Sequence, residues 1–347
     1  MPGRFTLADS AASPTGSRHL LSATSLAHFV NDGTTFFVPV IAALLVPILR
    51  FSPIEVTLLF VVYYSTSSLL GLLIGWWADR RGRPASMMAL GIGLLALGLF
   101  VFQAVLEGWG GPVEYPLALV AAGITGFAAS FYHPLGAALL QQGFSAERHG
   151  TVLGINGAFG SLGRTLYPVL FFVVTLAVVT TAALWVFVVL GLVAMGVVVW
   201  ATRALAAGER ARAVPSPRPA AGSFTHGVLA LTGVAFVRSL ALMGVVVWIP
   251  TYLTVARGVP ASGILGLAVT VMYVGGILGQ PLFGFAANRW DRRWLLGLSS
   301  AGAALSTLGY LYATGIPAQI LLFSIGFFTF TAFPLLMALS SDYVPSH

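Results

Sequence analysis

Asp32 is the one acid that falls deep inside a long apolar stretch of this chain, and it follows His28 by four residues. On a helix that spacing puts the two side chains on one face, with Asn31 and Ser25 close to the same stripe. A carboxylate taken out of water favours its protonated form, whereas a neighbouring guanidinium favours its charge. If Asp32 exchanges an Arg partner for a proton, it can tie proton movement to another event; if it does not, it forms a permanent ion pair. Arg164, about fifteen residues into its own apolar stretch, and Arg238, about a dozen into its own, are the two candidate partners. Neither can practically deprotonate. With His28 and His133 neutral, one acid and two guanidiniums leave a net positive charge, suited to a phosphate, phosphonate or carboxylate held by bidentate hydrogen bonds. The alternative for both Arg is bonding to backbone carbonyls or snorkelling. His133 precedes Pro134, and Gln280 precedes Pro281. Either joins this polar set or satisfies backbone groups freed by the proline.

The elements that must position these residues are membrane helices. Hydrophobic residues make up 58% of the chain and charged ones 8%, a balance that no soluble core of 347 residues could bury. A span needs about 20 apolar residues to cross a hydrocarbon layer of about 30 Å. Runs of that kind lie near 20–49, 55–77, 84–106, 115–140, 150–176, 180–202, 227–255, 262–286, 294–314 and 316–340. The expected fold is therefore all-α and polytopic, with ten transmembrane helices arranged as six and four. The polar stretch rich in Ala, Pro and Arg divides it into an N-terminal bundle at 1–203, a linker at 204–225 and an incomplete C-terminal bundle at 226–347. Asp32 falls about 12 residues, or ~18 Å, into the first span, near the midplane. An ionisable group there costs roughly 2.5–3.5 kcal/mol, so it must face a cavity or a partner.

All seventeen basic residues are Arg, and thirteen of them fall on one side of the alternating spans, against Arg50 and Arg257 on the other. That asymmetry predicts a multi-pass protein of the cytoplasmic (inner) membrane with both termini cytoplasmic. It also accounts for the net charge of +7 without a nucleic-acid partner. The first run is too long and too polar for a cleavable signal. With no Cys there is no disulfide and no thiolate site. H-E-x-x-H, a carboxylate cluster and a phosphate-binding glycine loop are all lacking, and the six His are scattered over different segments, so neither enzyme chemistry nor a metal or cofactor site is expected. Gly154, Gly157, Gly160 and Gly163 recur every third residue in the fifth span, a pattern for close helix packing.

The two parts repeat each other. Gly75-Trp-Trp-Ala-Asp79-Arg80-Arg81-Gly82-Arg83 follows the second span and Gly284-Phe-Ala-Ala-Asn288-Arg289-Trp-Asp291-Arg292-Arg293 the eighth, while His133-Pro134 corresponds to Phe333-Pro334. By this correspondence two further helices would complete the second part. A natural ten-helix protein and a shortened one read alike here.

The segment 75–83 fits the loop signature of major facilitator transporters, G-x-x-x-D-R-x-G-R, at every specified position. His28-Phe-Val-Asn31-Asp32, Phe131-Tyr-His133-Pro134, Arg148-His149-Gly150 and Arg238-Ser239 resemble the fosmidomycin-resistance branch of that superfamily. The resemblance implies two helical bundles, alternating access to a central cavity, and proton-coupled efflux of small molecules with the proton as coupling ion. Asp79, Arg80 and Arg83, with Gly75 and Gly82 around them, would form a gating latch, repeated at Gly284, Asn288, Arg289, Asp291 and Arg292. The alternative for these Arg is simple anchoring on the cytoplasmic side. Two departures stand out: Leu135 replaces an acid after His133-Pro134, and Tyr167 replaces the second Gly of an antiporter pattern before Pro168. The expected partners are a small anionic substrate, the lipid bilayer, and a second copy or a completing chain. The rival reading is a transporter-fold protein that serves as a sensor or assembly partner.

Overall fold

The computed structural model describes residues 14–144, 149–210, 226–287, 289–332, 335, 336 and 339. Among them are ten α-helices, two short 3-10 turns and no strand. In chain order the helices are α1 (Pro14–Leu49), α2 (Pro53–Arg81), α3 (Pro84–Leu106), α4 (Glu114–Gly143), α5 (His149–Thr175), α6 (Leu184–Arg210), α7 (His226–Val255), α8 (Gly263–Ala286), α9 (Arg292–Tyr312) and α10 (Gly315–Phe330). Nine are long and apolar enough to cross a membrane, and α10, with 16 residues, is a shorter apolar helix. All ten predicted spans are therefore helices. The chain forms two compact units, Met1–Pro217 with Ala261–Gly263, and Arg218–Pro260 with Ile264–His347. Helix α6 continues through Arg210, and the linker residues 211–225 lie outside the described residues, as do Arg148, Phe333-Pro334 and His347.

In the first unit α1 packs against α3, α4, α5 and α6, while α2 lies against α4 and α3 against both α4 and α6. The closest approaches occur at glycines. A methyl group at Gly163 would strike the Phe29 carbonyl of α1, and one at Gly126 of α4 would strike the Tyr63 carbonyl of α2. Within the fifth-span glycine repeat, Gly160 also faces α1, Gly157 faces open space, and the surroundings of Gly154 lie outside the described residues. Gly33 of α1 lies against the Tyr167 ring, which is fully buried among Phe29, Phe37 and Phe187. The bulk that replaces a glycine in α5 is thus accommodated by a glycine in α1. Outer faces are apolar, as a lipid-facing surface must be; Leu69 and Leu72 of α2 are exposed.

Local chemistry sets the helix ends. Ser52 and Glu55 form a reciprocal capping box ahead of Pro53, which begins α2. At the other end Gly82 takes a left-handed conformation with φ of 61° and its N–H donates to the Ala78 carbonyl, so α2 stops there. In the second unit, Gly275, Gly279 and Gly326 let α8 and α10 meet backbone to backbone. Arg257, after α7, donates to the carbonyls of Tyr310, Leu311 and Ala313 at the C-terminal end of α9, and its guanidinium lies over the Tyr252 and Tyr310 rings.

Candidate functional site

Asp32 is the one buried carboxylate among the described residues. Asn31 Nδ2 donates to its Oδ1 at 3.2 Å, and His133 Nε2 of α4 lies 3.4 Å from the same oxygen. Its Oδ2 faces His28 Nε2 at 3.4 Å and Arg164 Nε of α5 at 3.7 Å. Helices α1, α4 and α5 therefore each supply a charged or titratable group to one carboxylate. The i, i+4 spacing of His28 and Asp32 places both on the face of α1 that these helices cover, as the sequence predicts.

The His28 ring is held from behind. Its Nδ1 lies 2.9 Å from the Asn156 carbonyl and 3.0 Å from Asn156 Oδ1, and the Tyr132 hydroxyl donates to that same Oδ1 at 2.8 Å. Tyr132 also stacks on the imidazole, with ring centroids 4.6 Å apart. On the other side Gly160 leaves room for the ring, because a methyl group there would overlap it. A carbonyl can only accept, so Nδ1 carries the ring hydrogen in the neutral state and the Nε2 lone pair is turned toward Asp32. Two electron-rich atoms facing each other at 3.4 Å are stabilised by a nearby positive charge, and Arg164 supplies one at the same carboxylate oxygen.

Arg164 reaches Asp32 through Nε, donates from NH2 to Ser161 Oγ at 2.8 Å, and lies over the Phe36 ring. Arg238 takes the other course foreseen for these Arg. Its guanidinium donates to Ser300 Oγ of α9 and, at 3.1 Å, to the Phe328 carbonyl of α10, all within the second unit. Gln280 lies in α8, half-buried and one residue before the proline inside that helix. Asn156 carries no motif of its own, and its available signal is an amide side chain eight residues before Arg164 in the fifth span; Tyr132 lies inside the Phe131–Pro134 motif, next to His133.

The loop signatures are in large part helix ends. Gly75, Asp79 and Arg80 belong to the last turns of α2, Gly82 stops the helix, and the exposed Arg83 precedes α3. Arg80 lies 4.0 Å from the Trp76 ring centroid. In the repeat, Gly284 faces open space, Arg289 lies over Phe285, and Asp291 caps α9 by accepting from the Arg293 N–H at 2.7 Å; Arg292 opens that helix. Asn288 and the side chain of Asp79 lie outside the described residues.

Ten apolar helices, nine of them long enough to cross a membrane, define a polytopic membrane protein, and its first unit holds a buried carboxylate with partners from three helices. The chain belongs to the Major Facilitator Superfamily, whose profile matches residues 24–347. It is accordingly a membrane transporter and not an enzyme. The fosmidomycin resistance protein of Escherichia coli (strain K12) is 24% identical over 351 residues, covering 98% of this chain and 83% of that protein. In fold the chain is similar to a bacterial homologue of the human lysosomal transporter Spinster in its inward-facing, unoccupied conformation. There the TM-score is 0.69 at 16% identity, over 96% of this chain and 76% of that one. A D-xylose–proton symporter gives a TM-score of 0.66 at 15% identity, over 95% and 84% of the two chains.

Proposed function

We propose that this transporter is a secondary active carrier that exports a small anionic molecule across the cytoplasmic membrane by alternating access, with proton coupling. The carrying observation is the convergence of His28, His133 and Arg164 on Asp32. Arg164 is shared: its guanidinium serves either Asp32 or a substrate anion, so the charge state of Asp32 and substrate occupancy bear on one another. Substrate occupancy and protonation are thereby linked through one guanidinium, and the two imidazoles supply further proton acceptors at the same carboxylate. Arg238, anchored to Ser300 and Phe328, is a buried cation of the second unit. The name of the Escherichia coli relative supports efflux and makes fosmidomycin the first compound to try. The Arg asymmetry supports insertion with both termini in the cytoplasm.

The test is flux in proteoliposomes of the whole chain, with fosmidomycin and simple phosphonates and carboxylates, with and without an imposed pH gradient. The expected result is gradient-driven flux that Asp32→Asn abolishes and that Arg164→Gln lowers at least about tenfold, the loss of one charged hydrogen-bond pair. Flux that ignores the gradient, or survives Asp32→Asn, would falsify the coupling.

A further inference from the structure

The donor set around Asp32 has a use that proton traffic does not exhaust. His28, Asp32 and His133 each offer one ligand atom, and these atoms all lie within 4.8 Å of one another. Four-coordinate zinc has bonds of about 2.0–2.1 Å, which places neighbouring ligand atoms roughly 3.3–3.4 Å apart. The two imidazole–carboxylate separations are both 3.4 Å, His28 to Oδ2 and His133 to Oδ1, so a small turn of the carboxylate brings one oxygen to an ion held by both rings. The third requirement concerns orientation. A ligating His generally donates its far N–H to a carbonyl or carboxylate, which fixes the tautomer and aims the other nitrogen. His28 makes that contact through Nδ1 to the Asn156 carbonyl at 2.9 Å, and its Nε2 is the atom aimed at Asp32. His133 has 63% of its side chain exposed, so its ring has room to turn toward an ion.

We propose that His28, Asp32 and His133 bind a divalent first-row transition-metal ion of the zinc type. Two imidazole nitrogens and one carboxylate suit such an ion, whereas Mg2+ and Ca2+ favour all-oxygen shells. Three protein ligands leave a fourth position for water or an anion. The metal adds positive charge between His28 and Asp32, and it fastens α4 to α1. Arg164, 3.7 Å from Asp32, opposes the positive ion and lowers its affinity. The site does not depend on the transport reading, because metal binding and substrate flux are measured separately.

The experiment is titration calorimetry of the full chain, free of any affinity tag, in detergent with Zn2+, paired with visible absorption of bound Co2+. The expected result is one Zn2+ per chain, undisturbed by a thousandfold excess of Mg2+, with a Co2+ spectrum of four-coordinate nitrogen and oxygen ligation. His28→Ala, His133→Ala and Asp32→Asn each weaken binding at least about tenfold, since one of three protein ligands is lost. His226→Ala, remote in sequence and exposed, leaves it unchanged. Because His133 is largely exposed, its truncation keeps the fold, and a wild-type elution profile confirms this. The proposal is overturned if the wild-type chain binds no Zn2+, if His133→Ala binds it as wild type does, or if His226→Ala removes the site.

Discussion

The imidazole of His28 is clamped on three sides, by Asn156, by the stacked Tyr132 and by the close backbone of Gly160. A ring held this firmly presents Nε2 to Asp32 with little rotational freedom to lose, which is what an exchange of a proton or a metal requires of its acceptor. Adding a methyl at Gly160 meets the ring itself, so Gly160→Ala is expected to push the imidazole off Asp32. Flux should fall by an order of magnitude while the chain still elutes as a folded species. Tyr132→Phe removes one hydrogen bond to Asn156 and retains the stack. Its expected cost is about 0.5–1.5 kcal/mol in thermal unfolding, with a smaller loss of flux than Gly160→Ala. The reverse order of the two variants would show that the hydroxyl, and not the ring's seat, governs the site.

At the scale of elements, α1 and α5 are held together by size exchange. Tyr167 fills the space that Gly33 vacates, and Gly163 admits the α1 backbone at Phe29. Gly33→Ala is expected to destabilise by about 1–3 kcal/mol through overpacking. Tyr167→Ala should cost about 3–5 kcal/mol as a large cavity. Because the two side chains contend for one space, the double variant should cost clearly less than the two single losses together. Strict additivity in thermal unfolding would show that the Tyr167 ring moves aside instead. In the second unit Arg257 ends α9 by satisfying carbonyls that no helical N–H reaches. Arg257→Ala is expected to lower stability by about 1–3 kcal/mol, read as a lower unfolding midpoint in detergent.

For the molecule as a whole, the absence of Cys makes every introduced thiol unique. With the cytoplasmic termini proposed above, Val113→Cys, in the turn before α4, should react with an impermeant thiol reagent added outside intact cells. Arg83→Cys, between α2 and α3, should react only after the membrane is opened. Labelling in the opposite sense would reverse the orientation and, with it, the direction assigned to transport.

Ten helices and most of their approximate ends were legible in the sequence, because hydropathy and charge are local, one-dimensional properties along the chain. The i, i+4 register of His28 and Asp32 was legible for the same reason, being fixed by the pitch of one helix. Partners across helices were not. Each step along a helix turns the side chain by about 100°, so which residue of α4 or α5 meets Asp32 depends on the rotation and vertical offset of three helices, and no hydropathy profile carries either. Only the tertiary structure therefore brought two histidines from separate spans to one carboxylate, where scattered positions had argued against any metal site. Only it directed Arg238 to Ser300 and Phe328 while Arg164 took Asp32. The exchange of Gly33 and Tyr167 has the same origin. A glycine's use and a tyrosine's fit are decided by what the neighbouring helix places against them, and that is a property of packing.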